Sequence, residues 1–226
     1  IVGGGHAGCE AANAAAKMGA RTLLITMDMT KLAQMSCNPA MGGIAKGQII
    51  REIDALGGLS GIITDKSMIQ FRMLNRSKGP AMWSPRAQCD RQKFTVEWRK
   101  ELEKTDNLFI WQEQAVKLLI DGKKTVGIET AFGTKFNAKA VILTNGTFLE
   151  GLMHVGLSNI PGGRSGEQAS QGLSQQLREL GFTVERLKTG TSARIDGRSI
   201  DFSKMIEQKG DDEGRSFSYL NNFFAF

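Results

Sequence analysis

The chain holds 226 residues with 29 Lys and Arg against 23 Asp and Glu, a formal net charge of +6, and is 41 % hydrophobic and 23 % charged. That balance excludes a disordered or fibrous chain, and the length suffices for one large domain or one and a half ordinary ones. No apolar run approaches the roughly 18 residues needed to cross a bilayer, so no membrane association is expected. Cys9, Cys37 and Cys89 are odd in number and lack CxxC spacing. They argue against a disulfide framework or a structural metal site and for a reducing, cytoplasmic setting. The 27 glycines exceed the usual ~7 %, which points to tight turns and to close approach of a phosphate-bearing ligand.

In chain order, Ile1-Val2 leads into a glycine loop, and residues 7–18 are small helix formers stopped by Gly19. Residues 21–26 contain Thr22-Leu23-Leu24-Ile25, a short buried strand. Strand, glycine turn, helix and strand make one βαβ unit with a parallel sheet. Two apolar residues are short for the first strand, so the chain reads as cut at its start. Residues 35–47 form a glycine-rich loop without periodicity. Residues 46–56 then set Ile49, Ile50, Ile53 and Leu56 on one helical face, ended by Gly57-Gly58. Ser84-Pro85 reads as an N-cap and first helical position of a helix running to about Lys104, with Phe94, Trp98 and Leu102 on its buried stripe.

Residues 108–111, 116–120, 125–130 and 138–143 read as strands, turned at Asp121-Gly122 and Phe132-Gly133. Residues 167–180 form an amphipathic helix (Leu173, Leu177, Leu180) closed by Gly181. Beyond Asp196 the signal fades, and the apolar residues 222–226 read as a second cut end. The predicted fold class is α/β: a Rossmann-like domain with a parallel sheet and a three-stranded meander over 1–150, then an incomplete substrate or inserted region over 151–226.

Gly3-x-Gly5-x-x-Gly8 fits the dinucleotide fingerprint. The first glycine allows the tight turn, the second lets backbone approach a pyrophosphate, and the third lets helix and strand pack closely. Gly4, His6 and Ala7 complete the loop as candidate cofactor contacts. Asp28 lies at about the offset of an acidic ribose ligand but beyond the strand end, and two readings stand: ribose ligand or loop residue. Lone His154 is read as structural.

The meander with its following Leu143-Thr144-Asn145-Gly146 is similar to that of two-dinucleotide-binding-domain flavoproteins. More specifically, GGGHAG (3–8), MSCNPAMGGIAKG (35–47), RMLNRSKGPA (72–81), RAQCDR (86–91), GTFL (146–149) and RLKTGT (186–191) resemble the GidA (MnmG) family of tRNA uridine 5-carboxymethylaminomethyl modification enzymes, of which this chain would be an N-terminal fragment. The resemblance implies FAD held by Gly3 to Gly8, Val116 and Ser170, although Val116 read alone is core packing. It further implies NADH as reductant, methylenetetrahydrofolate as carbon donor, the GTPase MnmE as partner, a homodimer that joins MnmE in a heterotetramer, and modification of the tRNA wobble uridine. Trp83-Ser84-Pro85-Arg86 stands where many members carry Arg-Ala-Thr-Arg, so one basic residue is missing. The family's second functional cysteine falls in a region this chain lacks.

Cys37 sits in the glycine-rich loop, where exposed N–H groups and the start of the following helix favour a reactive thiol. It is the candidate nucleophile toward uracil C6, with a small packed residue as the alternative reading. Cys9 and Cys89 are read as packing residues. Arg72, Arg76, Lys78, Arg86 and Arg91 share a stretch whose one acid is Asp90, which suits phosphate of FAD or tRNA; Arg76 alone reads as a solvated charge. Arg186, Lys188 and Arg194 form a second, sparser basic patch. The competing functions are a folate- and FAD-dependent tRNA uracil-54 methyltransferase and a non-catalytic FAD- and RNA-binding module.

Overall fold

A computed structural model describes residues 1–190, 192–211 and 216–220; the apolar tail at 222–226 and Thr191 of the RLKTGT motif lie outside the described residues. The chain divides into two compact units, Ile1–Gln34 with Thr95–Arg186 and Met35–Phe94 with Leu187–Phe226. The boundary expected after residue 150 is therefore not where the units part. Residues 151–186 group with the glycine loop, and 35–94 leave it.

The first unit starts with Val2, which bridges in parallel to both Ile25 and Leu143. Val2 N donates to Ile142 O and Thr144 N to Val2 O, both at 2.9 Å, while Gly3 N donates to Ile25 O at 2.9 Å. The two opening residues thus occupy the middle of a parallel arrangement. α1 (His6–Lys17) follows and ends before Gly19 at φ +88°, a left-handed conformation that favours glycine. β1 (Thr22–Thr26) pairs in parallel with β5 (Leu108–Gln112).

The meander is present as β6 (Ala115–Asp121), β7 (Lys124–Thr130) and β8 (Lys135–Asn137), antiparallel in that order. Its third strand, β8, was not delimited in the sequence. The residues read as a strand at 138–143 contribute only the Leu143 bridge, because the segment beside them offers Val2 alone for pairing. A hairpin of β9 (Leu152–Val155) and β10 (Ser158–Pro161) follows; it was not legible as alternating sequence. α5 covers only Leu173–Glu179. Extension back to 167 is blocked at Gly172, φ +100°, and by Ser170, whose backbone bonds Phe148 and Glu150 instead. Val2, Ile25, Ala115, Leu118, Ile128 and Leu173 form one buried cluster, so the glycine loop, the meander and α5 share a core. Gln176 of α5 accepts from Leu118 N (2.6 Å) and donates to Leu118 O (2.8 Å), satisfying a peptide on the open edge of β6.

The second unit is built on an antiparallel sheet of β2 (Ala40–Gly42), β4 (Ser84–Cys89) and β3 (Met68–Leu74), with β4 central. Ser84-Pro85 therefore opens a strand, not a helix. Asp90 is the true cap: its Oδ1 accepts from Gln92 N and Lys93 N, both at 2.9 Å, and α4 runs Arg91–Lys104 with Phe94, Trp98 and Leu102 fully buried. The proline is tolerated because it stands near the strand start, where its carbonyl accepts from Gly43 N at 2.9 Å.

α2 (Lys46–Ala55) and α3 (Ser60–Ser67) pack in the same unit. The expected apolar face of α2 is not its buried face. Ile50 is buried, but Ile49 is 55 % and Leu56 90 % exposed; the helix instead turns Gly47, Ile50 and Asp54 inward. A Cβ on Gly47 would stand 2.6 Å from Pro85 O, so the helix approaches β4 closer than a side chain allows. Asp54 and Asp65 then clasp the chain near its end. Asp65 accepts from Phe217 N (2.5 Å) and Ser218 N (2.9 Å), and Asp54 from Tyr219 N (2.8 Å).

Candidate functional site

Gly3 and Gly8 of the first unit's loop are required by close neighbours. Gly3 has φ +107°, and a Cβ there would lie 2.9 Å from Thr144 O. A Cβ on Gly8 would overlap Gly3 O and stand 2.7 Å from Thr144 Oγ1, so α1 sits against the loop with no room for a side chain. Thr144 Oγ1 closes this arrangement by donating to Val2 O (2.8 Å) or Gly3 O (3.0 Å). Gly5 differs from both: its φ of −76° suits any residue, and a Cβ would meet nothing within 4 Å. Neither backbone strain nor packing requires a glycine there. Helical bonding begins with Cys9 N to Gly5 O at 2.9 Å, so the amides of Ala7 and Gly8 belong to the first turn, whose N–H groups and positive dipole end attract anions. Open space, bare backbone and a helix N-terminus together fit a dinucleotide pyrophosphate.

Asp28 is engaged within its own loop. Its Oδ1 accepts from Thr30 N (2.8 Å) and Thr30 Oγ1 (2.6 Å), and Oδ2 pairs with Lys31 at 3.0 Å. The Thr30 hydroxyl, with Lys31 adding to it, holds its carboxyl below the ordinary value. Val116 is the extra residue where the register of β6 against β7 shifts between Ala115 and Lys117. A bulge of this kind releases a backbone unit from the ladder, which suits a residue whose main chain meets a ligand. Ser170 is buried, with its N donating to Phe148 O (2.7 Å) and its O accepting from Glu150 N (2.8 Å). Gly172, two residues on, approaches Val116 O so closely that a Cβ would stand 2.7 Å away. The candidate cofactor residues Gly3, Gly4, Gly5, His6, Ala7, Gly8, Val116 and Ser170 thus all fall in the first unit.

The candidate nucleophile and most of the basic residues fall in the second. Cys37 is half-buried, and its carbonyl accepts from Arg91 Nη2 (3.2 Å) and Arg194 Nη2 (3.1 Å). Cys9 and Cys89 are buried at 0 % and 1 % exposure; burial pushes the Cys9 thiol up to about 12 and raises that of Cys89. The packing readings of these two hold. Below the Cys37 loop, Gly42 (φ +84°) would drive a Cβ into Pro85 O and to 2.8 Å from the fully buried Phe217 ring.

On the sheet, Arg72 stands directly opposite Arg86, and Gln70 opposite Gln88. Alternation puts these four on one face, with Phe71, Ala87 and Cys89 on the buried other. Arg72 Nη1 donates to Gln208 Oε1 (2.9 Å) and Arg86 Nη2 to Gln88 Oε1 (3.3 Å). Among the described residues, these two opposed cations have neutral hydrogen-bond partners. Arg76 pairs with Asp211 at 2.7 Å, and Lys78 is exposed. The second basic patch is divided: Arg186 donates to Glu150 O at 2.9 Å in the first unit, while Lys188 is exposed in the second. The convergence of Arg194 on Cys37 was not legible, since the two lie far apart in the chain. Among the described residues no helix is long and apolar enough to cross a membrane, and no group of three or more His, Cys, Asp or Glu could hold a metal.

A parallel βαβ start, a glycine turn closed by a threonine and a three-stranded meander define the class as α/β with a Rossmann-type nucleotide-binding loop. The family follows from comparison. The model of the family described as glucose inhibited division protein A matches residues 1–225, and the chain belongs to that family. It is 61 % identical to a Cytophaga hutchinsonii protein and 62 % identical to a Karelsulcia muelleri protein, both named tRNA uridine 5-carboxymethylaminomethyl modification enzyme MnmG. These matches cover 97 % and 98 % of the chain but 35 % and 36 % of the relatives, so the chain spans about a third of their length. Aquifex aeolicus GidA superposes with a TM-score of 0.92 at 49 % identity, over 96 % of this chain and 36 % of that one. A GidA-related protein from Thermus thermophilus superposes with 0.59 at 26 % identity, over 82 % and 69 %.

Proposed function

We propose that the chain supplies the flavin-holding part of an FAD-dependent enzyme that modifies C5 of the tRNA wobble uridine. The observation that carries the reading is Gly5, a glycine that neither φ nor packing demands, at the mouth of a helix N-terminus. The backbone of Gly3 to Gly8 would cradle the pyrophosphate, with Val116 and Ser170 toward the adenosine half. FAD would supply redox chemistry, reduced by NADH, with methylenetetrahydrofolate as the carbon donor. Cys37 would add its thiolate to uracil C6, forming an S–C6 bond as the C5–C6 electron pair moves toward the C4 oxygen. C5 is then the nucleophilic carbon. Once the one-carbon unit is attached, loss of the C5 proton expels the thiolate and restores the double bond. Arg72 and Arg86, opposed on one sheet face, would neutralise RNA phosphates, with Lys78, Arg91, Arg186 and Lys188 adding to the basic surface. The working assembly would be a cytoplasmic homodimer joined to MnmE.

The test uses the full-length protein with MnmE, NADH and the folate donor on unmodified tRNA, read by nucleoside mass spectrometry. A carboxymethylaminomethyl or aminomethyl wobble uridine is expected. A methyl group at uracil-54 instead would make the chain part of a methyltransferase, and no modified nucleoside at all would leave a binding module.

A further inference from the structure

We infer that Arg91 and Arg194 form a phosphate clamp beside Cys37, holding the 5′-phosphate of the tRNA nucleotide whose base meets that thiol. The inference rests on the tRNA reading above and adds to it the residues that seat the reacting nucleotide. Both guanidinium groups lie within hydrogen-bond reach of one neutral oxygen, Cys37 O, at 3.2 and 3.1 Å. Two like charges brought to one carbonyl repel each other, and a single carbonyl engages one N–H of each five-donor guanidinium.

Among the described residues neither arginine has a carboxylate within ion-pair distance. Arg76, Arg99, Arg164 and Arg198 each have one, from Asp211, Glu103, Glu167 and Asp196. The nearest acid in sequence, Asp90, uses Oδ1 as the cap of α4. Arg91 is the first residue of that fourteen-residue helix, whose N-terminal end adds positive potential.

An anion fitting both forks would relieve the repulsion, and phosphate offers the oxygens for two such forks. Geometry selects which phosphate. C6 is the pyrimidine ring atom nearest the 5′-phosphate in an anti nucleotide, so a thiol aimed at C6 brings that phosphate toward the groups holding its own carbonyl. The sequence groups Arg194 with Arg186 and Lys188 in a basic patch; its placement on Cys37 O joins it to the Cys37 loop instead.

The experiment uses full-length holoenzyme and an unmodified tRNA transcript, with two readouts. One is the rate at which iodoacetamide alkylates Cys37 with and without tRNA, located by peptide mass spectrometry; buried Cys9 and Cys89 serve as internal references. The other is tRNA affinity against salt by fluorescence anisotropy. In the wild type, tRNA should slow Cys37 alkylation. Arg194→Gln, at an exposed position, and Arg91→Gln should each weaken tRNA binding about tenfold at low salt. Each should also lower the slope of log K against log salt by about one, and tRNA should protect Cys37 less. Arg194→Lys should restore the slope, because a point charge still neutralises a phosphate. Flavin content and melting temperature check that each variant is folded.

Wild-type affinity, slope and protection in both Gln variants would overturn the clamp while leaving the tRNA reading intact. Protection of Cys37 by glycine with none from tRNA would assign the pair to a carboxylate and overturn it as well. A wild-type holoenzyme that does not bind tRNA would remove the reading and the clamp together.

Discussion

At Gly5 of the first unit a side chain would enter open space, whereas at Gly42 of the second it would drive into Pro85 and the Phe217 ring. Gly42 also sits at φ +84°, and Gly5 at −76°. One glycine is demanded by the fold around it; at the other, φ is ordinary and no described atom stands within 4 Å of where a Cβ would be. A residue kept small without a structural reason marks where something else must come close. The basic sheet of the second unit teaches the same lesson with charge. Arg72 faces Arg86 across β3 and β4, where like charges cost stability, and no acid answers them among the described residues. In both units the anomaly is what points to a ligand.

The comparison breaks most visibly at the packed glycines. Gly8→Ala should destabilise the first unit by about 3 kcal/mol, since the Cβ meets backbone that cannot move aside; Gly42→Ala should do the same in the second. Urea unfolding measures both, and a loss below about 1 kcal/mol in either would show that the loop relaxes. Cys37→Ser in the full-length enzyme should cut modification about a hundredfold or more, because a hydroxyl ionises far less readily than a thiol. Flavin content should stay near wild type, with Cys9→Ser and Cys89→Ser remaining active. Equal activity in all three would reduce Cys37 to a packed residue.

Arg86→Gln should separate binding from folding. The slope of tRNA affinity against salt should fall by about one, while stability should hold or rise by up to about 1 kcal/mol as the opposed pair is relieved. A fall in both would mean that Arg86 supports the sheet instead of a ligand. The smallest effect concerns Asp28. Its carboxyl is held below the ordinary 3.8 by Thr30 and Lys31. Its contribution is therefore present above pH 3.8 and fades as the pH falls through the lowered value. Asp28→Asn should flatten that acid limb in a pH series of thermal melts, and an unchanged limb would place the acid sensitivity elsewhere.

The sequence was most legible around the glycine loop and least legible in the second unit's sheet. α1, β1 and β5 were readable because short buried strands around an alanine-rich helix have local signatures, and the glycine spacing carried its own mechanism. The second unit's sheet was not readable. Ser84-Pro85 imitates a helix start, and only the pairing of β4 with both β2 and β3 reveals a strand; Asp90, a few residues later, is the cap that decides where the helix begins. Likewise α2 looked apolar along Ile49, Ile53 and Leu56, yet its orientation is fixed by Gly47 against β4 and by Asp54 reaching Tyr219. The Arg91–Cys37–Arg194 convergence joins residues from opposite parts of the chain, and no spacing rule finds such a contact.

On this reading Gly5 serves a bound dinucleotide and not the fold. Flavin content and urea stability of the full-length Gly5→Val protein, measured beside Gly8→Ala, test it most directly. Gly5→Val should lose its flavin absorbance while the flavin-free protein unfolds at the same urea concentration as flavin-stripped wild type. Gly8→Ala should instead lose stability even without flavin. A Gly5→Val protein that keeps stoichiometric flavin would place the pyrophosphate elsewhere, and one that loses flavin only because it no longer folds would make Gly5 a structural residue.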